Sequence, residues 1–231
     1  MVVDSGSTDG TLEIASRYPN VEVVYRRFDS HTAQWNYALD QAATPWVLTL
    51  DADYVPAAGF KDDVARAVRD PGDAAGFEVH FRYCIRGRPL RATLYPPRVV
   101  LFLRHRGRYV ADGHTQRLAL DGRVDALNGP IDHDDRKPLK RWLASQDRYA
   151  DLEADKLLAA PAGSLRRVDR LRRLGWPAPL VMPAYCLLVR GLVLDGRAGV
   201  YYAAQRTYAE ALLARKLLRR RLRSGMGDGD G

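Results

Sequence analysis

The feature that most restricts the fold is an alternation, over the first seventy residues, of apolar runs with segments of helical spacing. Val2–Val3 lead into the polar turn DSGSTDGT, and LEIASRY (12–18) follows with the spacing of a short amphipathic helix capped at Thr8 or Asp9. Pro19–Asn20 closes that helix, VEVVYR (21–26) reads as a strand, and HTAQWNYALDQAA (31–43) reads as a second helix. WVLTL (46–50) is an uninterrupted apolar run, the pattern of a parallel strand covered on both faces. FKDDVARAV (60–68) then returns to helical spacing. This order of elements predicts a doubly wound α/β sheet.

From Ala75 the texture changes. GFEVHFRY, PRVVLFLR, GRYVADG and QRLALDG predict short strands in an antiparallel or mixed extension. After Pro138 the chain reads as helical, with KRWLASQDRYADLEADKLLAA (140–160) as one long amphipathic piece. The expected organisation is therefore an α/β domain over 1–137, a helical basic extension over 138–223 and a flexible tail over 224–231. A hydrophobic share of 46% supports one substantial core, and the aromatic and charged content excludes a mainly disordered chain. The N-terminal apolar residues pass directly into a charged turn, so no secretory signal peptide is expected. Cys84 and Cys186 lie far apart and read as buried thiols in a reducing compartment.

The formal charge of +8 is concentrated in arginine clusters at 82–108, 166–173 and 215–223. Such an excess points to nucleic acid, anionic lipid or a phosphorylated substrate. Neither zinc-finger spacing nor an RNP aromatic pattern accompanies it, so nucleic acid is not the expected partner. The apolar stretch WPAPLVMPAYCLLVRGLVL (176–194) is interrupted by three prolines and Arg190, too broken for a spanning helix. With the basic run RKLLRRRLR it reads as an interfacial anchor on an anionic membrane surface; the alternative is a helical hairpin packed on the α/β domain.

Doubly wound sheets bind ligands at the carboxyl ends of their strands. Asp4 stands at one such end and Asp51–Ala52–Asp53 at another. Two carboxylates flanking a small residue suit a hard divalent cation shared with substrate phosphates; the alternative is a helix cap or a solvated turn.

Taken together, VVDSGSTDGT, then about forty residues, then WVLTLDADYVP resemble the GT-A family 2 glycosyltransferases over roughly residues 1–135. AQWNYALDQAATPWVLTLDAD is similar to the branch that includes lipopolysaccharide-core glucosyltransferases. IDHDDRKPLKRWLASQDRYADLEADKL and GLVLDGRAGVYYA resemble that branch's later segments. The resemblance implies an inverting transfer of a hexose from a nucleotide-diphosphate sugar to a glycan or lipid-linked envelope acceptor. It also implies Mg²⁺ or Mn²⁺. The reduced thiols and the interfacial segment predict a cytoplasmic location, peripheral on the inner face of the cytoplasmic membrane.

Residue by residue, the resemblance assigns Asp4 and Ser5 to donor binding, Gln34 and Asn36 to the nucleotide side, and Asp51 to the ribose and metal. It assigns Asp53 to the cation and His133 to a third metal ligand. The structural alternatives are a turn aspartate for Asp4, a polar helix face for Gln34 and Asn36, and a structural histidine at 133. Relatives in that branch carry His-Glu where this chain has His114–Thr115, and a threonine hydroxyl is no general base at neutral pH. The nearest carboxylate, Asp112, becomes the expected base, with Asp125 and Glu78 as poorer competitors. Arg98, Arg104, Arg108 and His114, with His105 and Arg106, are expected on the acceptor side or as solvated charges on strand edges.

Family members begin with one further central strand and an Asn-Glu loop ahead of the Val-Asp-Ser-Gly-Ser turn. The expectation is that this form lacks that strand, through a misplaced start or a truncation, and that open sheet edges impair it. A remnant that binds nucleotide sugar or protein partners is the alternative reading. A nucleotidyltransferase is the third, set back by the absence of a Gly-rich loop near the start.

Overall fold

The computed structural model describes residues 1–112, 115–134 and 136–227. It begins with β1 (Val2–Asp4), α1 (Thr11–Ser16), β2 (Val23–Tyr25), α2 (His31–Gln41), β3 (Trp46–Leu48), β4 (Tyr54–Pro56) and α3 (Phe60–Arg69). Strands β5 (Ala74–Val79), β6 (Phe81–Ile85), β7 (Arg88–Pro89), β8 (Arg98–Leu103), β9 (Gly107–Asp112), β10 (Thr115–Leu120), β11 (Arg123–Ala126) and β12 (Ile131–His133) follow. The chain ends in α4 (Leu139–Ala159), α5 (Arg167–Leu174), α6 (Pro177–Ala184) and α7 (Gly196–Gly227). It divides into two compact units, 1–49 with 66–78 and 99–126, and 50–65 with 79–98 and 127–231. The second unit thus joins the helices after residue 138 to strands from before it.

In the first unit β1 and β2 pair in parallel, with Asp4 opposite Tyr25. A four-stranded sheet has the order β11-β5-β8-β3, and β9 with β10 forms an antiparallel hairpin. Every residue of β5 except Glu78 is buried, and β11 and β8 flank it on either edge. Leu39 of α2, Val47 of β3, Phe102 of β8 and Tyr109 of β9 form the core here, with Trp35 packed against them. Ser30 caps α2, its side chain accepting from the Ala33 N–H. At α1 the capping position is Gly10 rather than Thr8 or Asp9, although the Asp9 carboxylate accepts from the Thr11 N–H.

Strand β3 departs from its expected character. It runs antiparallel to β8, and Leu48 is 41% exposed. It is the edge strand of its sheet, so a run that reads as doubly covered is covered only in part. β1–β2, β5–β11 and β6–β12 pair in parallel while β3–β8, β4–β12 and β9–β10 pair antiparallel, so the sheets are mixed rather than one continuous parallel layer.

In the second unit the sheet order is β4-β12-β6-β7, with β12 antiparallel to β4 and parallel to β6. Helices α4 and α7 meet through Ala150, Ala154 and Leu157 on one side and Leu212, Leu213 and Leu217 on the other. Lys216 and Arg220 of the basic run turn toward α4 and pair with Asp147, Asp151 and Asp155, so part of that run is neutralised within the fold. Helix α7 continues through residues 224–227, the first half of the expected flexible tail. Both cysteines are free and buried, and burial pushes the Cys84 thiol up to about 11.

Pro183 interrupts the apolar stretch within α6, and one π turn over Tyr185–Val189 follows it. The π bond runs from the Arg190 N–H to the Tyr185 carbonyl at 2.9 Å, and Gly191 then turns the chain at φ 67°. No single helix among the described residues is long and apolar enough to cross a membrane.

Candidate functional site

The site residues of the first unit start from the turn after β1. Gly6, at φ 101°, folds the chain back so that its N–H and the Ser7 N–H donate to one Asp4 oxygen at 2.7 and 3.0 Å. The Ser7 hydroxyl donates to the other oxygen at 2.5 Å. That hydroxyl first, then the backbone donors, holds the Asp4 carboxyl below its ordinary range. Asp4 is buried at this turn, and its hydrogen bonds shape the loop carrying Ser5.

Helix α2 secures this loop. Gln34 donates to the Ser5 hydroxyl at 3.1 Å and accepts from Arg26 at 3.0 Å, while Arg26 grips Asp29 through both nitrogens at 2.9 Å. Asn36 is not a solvated polar position on the helix face. Its amide donates to the Tyr109 carbonyl and accepts from the Tyr109 N–H, each at 2.9 Å. It joins α2 to β9 through the Tyr109 backbone. Asn36→Leu is expected to destabilise the protein by ~1–3 kcal/mol, since it strands a part-buried N–H and carbonyl. Urea unfolding measures this; a change below ~0.5 kcal/mol would refute the clamp.

Asp112 ends β9 opposite Thr115, and His114 lies outside the described residues. Asp125, the competing base, is held in a two-pronged pair by Arg123, which keeps its carboxyl low. The expected acceptor arginines are engaged in different ways. Arg108 pairs with Asp40 of α2, and Arg104 donates to the Thr44 carbonyl at 3.4 Å. Arg98, in the second unit, lies over the Tyr95 ring at 4.9 Å.

In the second unit strand register builds the site. β12 places His133 opposite Tyr54 of β4 and opposite Tyr83 of β6, so the three side chains stand in a row across the sheet. Tyr95 adds a third ring. The ring centroids of Tyr54, Tyr83 and Tyr95 lie 5.4, 5.2 and 5.0 Å from that of His133, all edge-on. The Tyr54 and Tyr95 hydroxyls share a 2.5 Å hydrogen bond, and burial raises both phenols above their ordinary range, leaving them neutral.

Because Asp53 immediately precedes β4, the same register brings its carboxylate 3.2 Å from His133 Nε2, with Lys137 Nζ at 3.9 Å. Burial pushes the Asp53 carboxyl upward, but the His133 hydrogen bond and the charges of His133 and Lys137 outweigh it and leave it below its ordinary value. Asp51, whose carbonyl accepts from the Tyr54 N–H at 3.1 Å, forms the same turn. Asp132, between His133 and Ile131, pairs instead with Arg82 at 2.7 and 3.0 Å.

The expected D-x-D aspartate and the expected histidine are thus side by side, from positions eighty residues apart. Sequence reasoning missed the enclosing tyrosines and Lys137; Tyr54 is adjacent to the D-x-D, but Tyr83 and Tyr95 carried no signal. Among the described residues no group of three or more His, Cys, Asp or Glu side chains gathers as an all-protein metal cage. One carboxylate and one imidazole do fit a hard cation that takes its remaining ligands from substrate phosphates and water, and His133 Nδ1 is buried without a hydrogen-bond partner.

Comparison with known proteins supplies the family. Residues 1–152 match the family model "Glycosyl transferase family 2". The chain belongs to glycosyl transferase family 2. This family 2 chain has the α/β class of GT-A enzymes, followed by the helical extension formed by α4–α7. It is 24% identical over 169 residues to the lipopolysaccharide core biosynthesis glycosyltransferase LpsC of Rhizobium meliloti (strain 1021). That match covers 68% of this chain and 61% of LpsC, so the family 2 chain spans less than two thirds of its relative. Among solved structures it is similar to S. aureus TarS 1–349 in complex with UDP-GlcNAc, at a TM-score of 0.44 and 14% identity, covering 95% of this chain and 82% of that one. A second structure of S. aureus TarS 1–349 gives a TM-score of 0.39 at 14% identity, covering 95% of this chain and 81% of that one.

Proposed function

We propose that this chain transfers a hexose, with inversion, from a nucleotide-diphosphate sugar to a cell-envelope or polysaccharide acceptor. The observation that carries the reading is the Asp53–His133 pair set at the D-x-D turn and enclosed by Tyr54, Tyr83 and Tyr95. Asp53 and His133 would hold Mg²⁺ or Mn²⁺, with Asp51 beside them. A cation held there would supply positive charge against the leaving diphosphate. Asp53 stays anionic because His133 and Lys137 favour its charged form. The three rings shield the imidazole and keep its Nε2 edge toward Asp53.

The Asp4 turn presents Ser5 to the donor while Gln34 holds the Ser5 hydroxyl in place. Asp112 accepts the proton of the acceptor hydroxyl, which leaves as the glycosidic bond forms. Asp125 is unsuited to that task because Arg123 ties up both of its oxygens. The role named for LpsC, lipopolysaccharide core biosynthesis, supports an envelope acceptor here.

The test is to incubate the protein with a panel of nucleotide-diphosphate sugars and envelope glycans and to identify the released nucleotide. A nucleoside diphosphate supports glycosyl transfer, whereas pyrophosphate or a nucleoside monophosphate contradicts it. Asp112→Asn is expected to lower kcat by about 10²–10⁴-fold while leaving donor affinity within about twofold. Normal turnover by that variant would return the base to another residue.

A further inference from the structure

The second unit carries an apolar surface that the transfer chemistry does not use. Where Pro183, the π turn and Gly191 bend the chain, Cys186 and Leu192 point inward and pack, fully buried, with Tyr202 and Ala203 of α7. Their neighbours point outward. Leu188 and Val189 are 72% and 73% exposed, Leu194 is 68% exposed, and Trp176, Leu180 and Val193 are exposed as well.

Charge is nearly excluded from this surface. Three charged residues lie between Leu174 and Tyr201. Arg190 donates to the Thr93 carbonyl at 2.8 Å, Asp195 is paired with Arg91, and Arg197 is exposed. Basic residues gather at one end instead. Helix α5 leads directly to Trp176 with Arg167 and Arg170 exposed, and Arg221 of α7 donates to the Arg173 and Leu174 carbonyls, which brings the basic end of α7 to the same place. Arg219 and Arg223 are exposed there.

We propose that this bend, from Trp176 through Leu194, is a docking surface for an anionic lipid bilayer. The exposed apolar side chains enter the headgroup–acyl boundary while the arginines of α5 and α7 meet anionic headgroups. Charge complementarity selects this occupant over a second copy of the chain. An isologous dimer through the same surface would bring two arginine clusters of a +8 chain into proximity, whereas an anionic bilayer neutralises them. The surface serves whichever sugar is transferred, so the proposal stands or falls apart from the catalytic reading.

Co-sedimentation with vesicles tests it, comparing equal parts phosphatidylglycerol and phosphatidylethanolamine with phosphatidylcholine alone. The protein is expected to bind the anionic vesicles, more weakly as salt is raised. The double variant Leu188→Gln, Leu194→Gln is expected to lose at least about tenfold in partitioning. Both positions are exposed, and an unchanged melting temperature confirms that the variant is folded. Emission from Trp176 is expected to shift blue on anionic vesicles and to be quenched by brominated acyl chains, with both signals lost in Trp176→Phe. Failure to bind at low salt would overturn the proposal, as would binding that the double variant leaves intact. Self-association abolished by the same variant, with no vesicle binding, would instead assign the surface to a second copy.

Discussion

Asp53→Ala is expected to reduce kcat/KM for sugar transfer by about 10²–10³-fold, or ~3–4 kcal/mol of transition-state stabilisation. The size follows from what the residue does. It supplies the carboxylate that stands 3.2 Å from His133 and that its neighbours keep ionised. Charge developing on a leaving diphosphate is the largest electrostatic change in such a reaction, and the cation that meets it would lose its one anionic protein ligand of this pair. His133→Ala is expected to cost less, because Asp53 remains. Asp132→Ala provides the contrast: it removes the neighbouring carboxylate, whose pair with Arg82 is partly exposed, and is expected to change stability by ~0.2–1 kcal/mol. Steady-state kinetics on the three variants separates the cation role from general damage to β12. Equal losses for Asp53→Ala and Asp132→Ala would contradict the assignment.

The largest stability effect is expected at Arg172. The run RRVDRLRR reads as a surface basic cluster, yet the structure turns Arg172 into the junction of α4, α5 and α7. Its guanidinium donates to Glu153 at 2.8 Å and to both oxygens of Glu210 at 3.1 Å, with Asp169 at 3.7 Å. The three carboxylate side chains are 8%, 4% and 6% exposed. Ions removed this far from water are tolerated only with their partner in place.

Arg172→Met is therefore expected to destabilise the protein by ~3–5 kcal/mol, mostly through the loss of a buried positive charge beside buried carboxylates, Glu210 above all. Adding Glu153→Gln and Glu210→Gln to Arg172→Met should recover a large part of that loss, since neutral amides need no counter-charge. Urea unfolding with fixed m-values measures both. A loss below ~1 kcal/mol for the single variant, or no recovery in the triple one, would refute this account of the junction.

These two sites show what the sequence carried and what it did not. Local signals were reliable: the spacing of 31–43 marked α2 to within two residues, and the spacing of 140–160 marked α4 within a residue at each end. The D-x-D and His133 were legible as residue types. Their meeting was not, because it depends on β12 pairing with β4 in a register that only long-range sheet formation sets.

Asn36 illustrates the same limit. Its amide was legible as a polar position on a helix, but its partner is a backbone unit seventy-three residues away, and backbone groups leave no mark in the sequence. The arginine clusters were legible as charge only. Whether an arginine faces water or three buried carboxylates is decided by helix packing, and that separates Arg172 from Arg170 two residues earlier.

Calorimetric titration of the unaltered protein with nucleotide-diphosphate sugars, in Mn²⁺ and then in chelator, tests the cation claim most directly. At least one donor should bind with a measurable heat in the presence of the ion and lose most of that affinity when the ion is removed. Equal affinity in both conditions, or no ion-dependent binding of any donor, would contradict the assignment of Asp53 and His133.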